Sequence, residues 1–504
     1  MKKILNICFL ALFLITITSC ENNFDEINTS KTSATNIDPA FILNNAVINS
    51  SIVTLIYEIG VVQQIISPNS GVLTGANYNQ DNRATTDDNW ANYYRGVIRN
   101  TKDIIYKTKD NPARSNLMNM ARILQAHAFM VITDTYGDIP YTQGGEGYYS
   151  SDNFFPKYEK QQDIYPKIIA ELTEATAALD AAKKVETADI LYGGDIAKWK
   201  KFGYSLLLRA GMRLSAVDAA KAQATVTAAF NGGVMTLNTE NAVVRHDANY
   251  RNPISNTLNS TEAANYYLTK PFVDALKSTN DPRLVSIAVR YMGAKSGSDH
   301  VPAKASILAA DQIGLPMGKD NKTAGEAAIA DGLVSFYEYS QADRNRIVKV
   351  AAPMFLVTAS QTLLLVAEAR QRGWITAGTA AQYFSDGIAA HMNQMALFDA
   401  TCAVAAADRD AYIAANPLKA GTELNQINTQ YWISSFLNGP EAFANFRRSG
   451  FPALAPNPYP GKEVDWINRL TYPNSEISVN SENVNAAIAA QGADNLATKV
   501  WWDK

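Results

Sequence analysis

Four histidines, His127, His246, His300 and His391, and 48 acidic residues are the groups in this 504-residue chain that could carry acid–base or metal chemistry. Their spacing argues against both. No two histidines stand four apart and no HExxH run occurs, so a zinc site has no support. Glycoside hydrolysis needs two carboxylates a few ångströms apart across a sugar. Pairs such as Asp134 with Asp138, or Asp189 with Asp195, arise by chance among so many acids. Phosphate-cradling loops, dinucleotide fingerprints, Gly-x-Ser-x-Gly elbows and calcium-loop patterns are absent. The informative residue types are aromatic. The chain holds 24 Tyr against 18 Phe, and tyrosine joins a flat apolar body to a polar tip. A pyranose ring, with an apolar C–H face and a rim of hydroxyls, is held by such rings beside Asn, Asp, Gln or Arg.

The segment 67–90 has that mixture with little aliphatic content. Tyr78, Asn79, Arg83 and Trp90 are its candidate ligand residues. No apolar period claims Tyr78, whereas Trp90 fits equally well as the first core residue of a helix. A second group lies in 234–352, where Tyr250, Tyr266, Tyr291, Phe336, Tyr337 and Tyr339 accompany Arg344 and Arg346. Tyr291 and Tyr337 are the candidates there, and about half of these rings are expected to cover helices. His127 falls inside an apolar helical pattern and is expected in the core.

The elements that must position these residues read as helices. Apolar periodicity predicts helices over 39–65, from about 86, over 114–136, 161–179 and 195–214. Residues 234–352 are richer in Gly, Asn, Ser and Pro, and are expected to form loops and short helices. Helices return over 353–373 and 379–395 around a turn at 374–378. The spacing of Ala367, Gly373, Ala380 and Tyr383 fits a tetratricopeptide hairpin, in which small residues let two helices approach. A short helix at 430–436 and proline-rich loops at 452–460 complete the reading.

At the start, Lys2 and Lys3 precede an apolar run over 4–17, too short for the ~20 residues that span a bilayer. Residues 1–19 therefore read as a signal peptide, and Thr18-Ser19-Cys20 as a lipidation site whose cysteine becomes the first mature residue. The polar stretch 20–38 reads as a tether. Cys8 leaves with the signal, Cys20 takes lipid and Cys402 remains, so no intramolecular disulfide forms in the mature chain. A formal charge of −3, with no concentrated Lys/Arg surface, argues against nucleic acid as a partner.

Several blocks, in order, resemble the SusD/RagB family of outer-membrane lipoproteins, specifically its second SusD-like branch. They are TYGDIPY at 135–141, FPKYEKQQDIY at 155–165, LYGGDIAKWKKFGYSLLLRAGMRL at 191–214, TASQTLLLVAEARQRG at 358–373, NGPEAFANFRRSGFPAL at 438–454 and TKVWWDK at 498–504. Gln361, Gly203-Tyr204 and Lys31 depart from the usual family residues without touching a candidate ligand position. The resemblance implies a mainly α protein, an α–α superhelix of about four tetratricopeptide-like hairpins packed with a loop-rich variable region. One domain over 39–504 is expected, with scaffold over 39–230 and 353–400, variable region over 234–352 and a C-terminal region over 401–504. It also implies glycan capture at the cell surface, as a lid on a SusC-like TonB-dependent barrel, with no catalysis and no cofactor. A peptide-binding lid is the alternative. The blocks themselves read as structural: Gly137, Asp138 and Pro140 as a helix stop, Arg447-Arg448 as partners of buried acids and carbonyls, and Trp501-Trp502 as a strand-like terminal anchor.

Overall fold

The apolar periods over 114–136, 161–179, 195–214 and 379–395 close into helices within a residue of where they begin and end, whereas the short helix expected at 430–436 runs instead over Glu423–Ser434. The structure, a computed structural model, describes residues 37–51, 58–69, 78, 81–259 and 263–503. The expected signal peptide, Cys20, nearly all of the tether and Asn79 lie outside the described residues. The first half contains α1 (Pro39–Asn49), α2 (Glu58–Val61), α3 (Arg83–Asn92), a π-helical turn (Tyr93–Ile98), α4 (Arg99–Thr108), α5 (Ser115–Tyr136), α6 (Gln161–Ala178), α7 (Ile196–Arg213) and α8 (Ala219–Gly232). The expected first helix does not reach residue 65. Gln63 adopts φ 56°, and Ile65–Ile66 is strand β1, because the side chain of Gln64 donates to the Trp432 carbonyl and the Trp432 indole to the Val62 carbonyl. Tertiary partners claim this segment before the helix can continue.

Local chemistry sets the other boundaries. Gly137, at φ 85°, stops α5, and the Asp138 carboxylate accepts the Gln161 N–H that opens α6, so one short block ends one helix and caps the next. In α13 (Ala359–Gln371), Thr358 and Gln361 form a reciprocal capping box. The helix expected from 353 starts later, because Met354–Val357 forms strand β7 against β2 (Ala242–Val244). That long-range pairing overrides the local helical period.

Small residues let consecutive helices meet. A Cβ on Gly211 of α7 would lie 2.9 Å from Val226 of α8, and one on Gly387 of α14 (Ala380–Gln394) would lie 2.8 Å from Leu364 of α13. These antiparallel pairs carry the mainly α, tetratricopeptide-like fold. The middle region adds β3 (Tyr267–Leu268), which pairs with β1, and a three-stranded sheet with β4 (Ala288–Tyr291) between β5 (Ala305–Ser306) and β6 (Gln341–Ala342). Its short helices are α9 (Pro253–Asn259), α10 (Lys270–Ser278), α11 (Arg283–Ile287) and α12 (Asn321–Ala330). The C-terminal part follows with α15 (Ala406–Ala415), α16 (Glu423–Ser434), α17 (Gly439–Ser449), α18 (Asn474–Val479) and α19 (Ser481–Gln491). No helix among the described residues is long and apolar enough to cross a membrane.

A buried polar network ties these parts together. Arg213 of α7 donates to Asp134 of α5 at 3.0 Å and to Glu441 of α17 at 2.7 Å. Asp134 also accepts the Trp502 indole N–H, and Glu441 accepts the Tyr431 hydroxyl. Trp502 is buried as expected, but in a turn rather than a strand. Arg447 donates to the carbonyls of Asn468 and Asp134, while Arg448 forms a two-bond fork with the buried Glu368 at 2.8 and 2.7 Å.

Burial alone would raise the Glu368 carboxyl, but the Arg448 and Arg372 guanidiniums outweigh it and bring it from 4.5 to about 2. A carboxylate depressed in the fold adds stability above its unfolded value and loses it as pH falls through the folded one. Unfolding in denaturant should therefore show an acid loss between about pH 4.5 and 2 that Glu368→Gln makes shallower. Arg448→Met, which leaves a buried carboxylate short of its main partner, is expected to cost about 3–5 kcal/mol at neutral pH.

Candidate functional site

Between α17 and α18 the chain runs without regular structure from Gly450 to Pro473, and this stretch builds a recess against the helical body. Trp466 is half-buried there. Its ring lies 5.3 Å from Phe446 of α17 and 6.4 Å from Tyr78. Together with Pro452, Leu454 and Val464, it lines a cleft of about 560 Å³ whose polar side carries Asn468, Lys499, Asp465 and Asp503. A second cleft, of about 780 Å³, shares Pro452, Ala453 and Leu454 and extends over Trp432 to Met317 and Lys270. Both volumes fall in the ~300–1,000 Å³ range of small-molecule sites.

The walls of this recess are fixed. The Glu463 N–H donates to the Tyr78 carbonyl, and the Gln63 side chain donates to the Ala455 carbonyl. Arg447, beneath the cleft, is stacked 3.6 Å from Phe443 and 4.9 Å from Trp502. Burial lowers its guanidinium to about 10, with Asp503 and Asp134 opposing. Lys499 sits 3.7 Å from Asp503, whose carboxyl burial raises against the pull of Arg447 and Lys499. An apolar ring with amide, ammonium and carboxyl groups at one edge matches what a sugar presents.

Of the residues singled out from sequence, Tyr78 belongs to this recess as its support. The expectation of an exposed Tyr78 is corrected: the ring has no accessible surface, its hydroxyl donates to the Val61 carbonyl at 2.8 Å, and burial pushes its ionisation far up. Arg83 is a strut between Asp81, Asp494 and the Tyr472 carbonyl, so its donors are already engaged. Trp90 is buried among Tyr94, Tyr136, Tyr158 and Tyr472, which realises the core reading of that residue. Asn79 lies outside the described residues.

Tyr291 and Tyr337 are brought together elsewhere, on either side of His300. Tyr291 stacks on the imidazole at 4.6 Å and 18°, with Arg344 5.6 Å over its ring, and is buried rather than displayed. Tyr337 stays half-buried against Phe336. His300 Nε2 meets the Tyr337 carbonyl at 2.8 Å, and burial lowers its basicity, so the neutral ring donates from Nε2. The sequence reading missed Trp466. Its signal was an unclaimed tryptophan in an irregular, proline-bearing segment, the same cue that drew attention to Tyr78.

Among the described residues, no cluster of three His, Cys, Asp or Glu could hold a metal ion. The chain belongs to the SusD-like family described as starch-binding and associating with the outer membrane, whose model matches residues 29–473. It is 31% identical to a structurally characterised chitin-binding protein, with a TM-score of 0.81 over 92% of this chain and 100% of that one. A Bacteroidetes SusD-like protein is 26% identical, with a TM-score of 0.81 over 93% and 100%. A chitin-binding SusD homologue from Flavobacterium johnsoniae shares the fold at 22% identity, with a TM-score of 0.75 over 92% and 98%. Comparison with curated proteins gave no match.

If Tyr78 supports the recess, its loss is a stability defect. Tyr78→Phe should cost about 1 kcal/mol, the worth of one buried hydrogen bond. Tyr78→Ala should cost about 3–5 kcal/mol. Urea unfolding followed by circular dichroism measures both.

Proposed function

We propose that this protein captures glycan at the cell surface and delivers it to a SusC-like TonB-dependent outer-membrane barrel, held to the membrane by lipid on Cys20. The observation that carries the binding reading is the half-buried Trp466, backed by Tyr78 and Phe446 and edged by Asn468, Lys499 and Asp465. Membership of a family described as starch-binding and outer-membrane-associated supports it, as does the likeness to a chitin-binding protein. The protein's part is to hold and present, not to turn over, its ligand. A sugar ring docks flat on the indole while its hydroxyls reach the amide, ammonium and carboxyl groups at the cleft edge. The preorganised walls reduce the ordering needed on binding.

Delivery requires a broad interface, and stable assemblies of this kind bury ~2,000 Å² or more. Several acyl chains on one cysteine, at ~0.8 kcal/mol per buried methylene, would keep the body at the membrane while it exchanges between free and barrel-bound positions.

Calorimetric titration of the full-length protein in mild detergent with chitohexaose and maltoheptaose should show binding to at least one. Trp466→Ala should weaken that affinity about tenfold or more, equivalent to ~1.4 kcal/mol. Indifference to all sugars with binding of oligopeptides would replace the glycan reading by a peptide lid. For the partner, extraction of native membranes should co-purify a large outer-membrane barrel, and Cys20→Ala should release the protein from the membrane fraction. Recovery of free, membrane-retained Cys20→Ala protein would contradict the anchor.

A further inference from the structure

Six aromatic side chains stand exposed among the described residues, and four of them are Tyr148, Phe154 and Phe155 of one loop and Tyr106, which packs on that loop through Tyr149. Three come from the loop between α5 and α6, whose sequence runs Tyr148-Tyr149, then Ser150-Ser151-Asp152-Asn153, then Phe154-Phe155. Tyr148 is 85% exposed, Phe154 62% and Phe155 57%. Rings so open add nothing to the core, and a soluble surface rarely gathers several without a use.

The loop is built to hold them there. Its near end is pinned where the Tyr149 hydroxyl donates to Asp103 of α4 and the Tyr149 ring stacks on Tyr106 at 4.1 Å and 27°. Its far end is pinned where Asn483 and Asn480 donate to the carbonyls of Phe155 and Pro156. In between, the Ser150 hydroxyl caps a tight turn over Ser151–Asn153, which folds Phe154 back beside Gly147. Tyr148 stands perpendicular to Tyr149 at 5.3 Å and keeps most of its ring exposed. Along the chain, Ser151, Asp152 and Asn153 stand between the two ring pairs, with the Asn153 amide donating to Glu146. Flat open rings flanked by short hydrogen-bonding side chains match a sugar ring's apolar face and hydroxyl rim.

We propose that this loop is a second carbohydrate-stacking platform, separate from the Trp466 recess, that engages the same long glycan chain. It shares no lining residue with the two clefts around Trp466. This inference rests on the glycan reading of the protein and adds to it the length of the ligand. Two platforms on one rigid body gain from each other only when a single chain can reach both, which turns the second contact into an intramolecular one. Polymer is therefore bound more tightly than its short fragments.

The test compares full-length wild type, Trp466→Ala and the double variant Tyr148→Ala with Phe154→Ala. Each is run on native gels cast with glycol chitin or soluble starch, and titrated with chitohexaose and maltoheptaose. The expected result is that the loop variant loses at least threefold in retardation by the polymer while keeping its oligosaccharide affinity within twofold. Trp466→Ala should lose both. A loop variant retarded as strongly as wild type overturns the second platform and leaves the recess standing. Unchanged retardation with lost co-purification of the barrel would also overturn it, assigning the rings to protein docking. A wild type indifferent to every polymer and oligosaccharide overturns both readings.

Discussion

The structure depends on charges that cannot be left alone in its interior. Arg213 has no accessible surface and is held between Asp134 and Glu441, which belong to helices far apart along the chain. Removing two opposite charges from water is costly, and the cost is met only when geometry and additional hydrogen bonds are good. Tyr165, Tyr431 and Trp502 supply those bonds. The consequence is positional. Helices α5, α7 and α17 and the C-terminal turn are fixed relative to one another, because any shift would strand a buried ion. Arg447, on the neighbouring turn of α17, extends that constraint to the Asn468 carbonyl and so to the wall of the Trp466 recess.

This explains how a segment without regular structure can form a defined site. The stretch after α17 makes no helix or sheet of its own, yet it is held at Ala455, Glu463 and Asn468 by Gln63, Tyr78 and Arg447. A binding surface on loops, carried by a rigid helical scaffold, is a recurring solution because loops can vary without disturbing the core. The same division appears between α5 and α6, where pinned loop ends display rings outward. In both places hydrogen bonds to the scaffold keep apolar rings from collapsing onto it.

The helical half of the fold was legible because its signals are local. Asp195 before α7 and Gly137 after α5 mark boundaries that need no knowledge of distant residues. What could not be read was set by partners remote in sequence. Strand β7 looked helical until β2 paired with it, and the end of α2 was decided by Trp432. Helix α8, whose alanine-rich stripe is short, was not separated from its surroundings. The site followed the same rule. The sequence offers aromatic residues with polar neighbours, but Tyr78 is buried beside Trp466, and Trp90 is buried against Tyr472 and Tyr158. Only packing tells a ring on display from a ring in the core. The terminal blocks were legible as structure for the opposite reason: paired arginines and tryptophans near a chain end have few uses besides docking it.

The central claim is that Trp466, supported from beneath, is where a sugar ring lies. The most direct measurement is a crystal structure of the protein grown with chitohexaose or maltoheptaose. Density for a pyranose ring stacked on the Trp466 indole, with its hydroxyls facing Asn468, Lys499 or Asp465, is the predicted result. A well-ordered sugar bound elsewhere, with the Trp466 recess left to solvent, would contradict it.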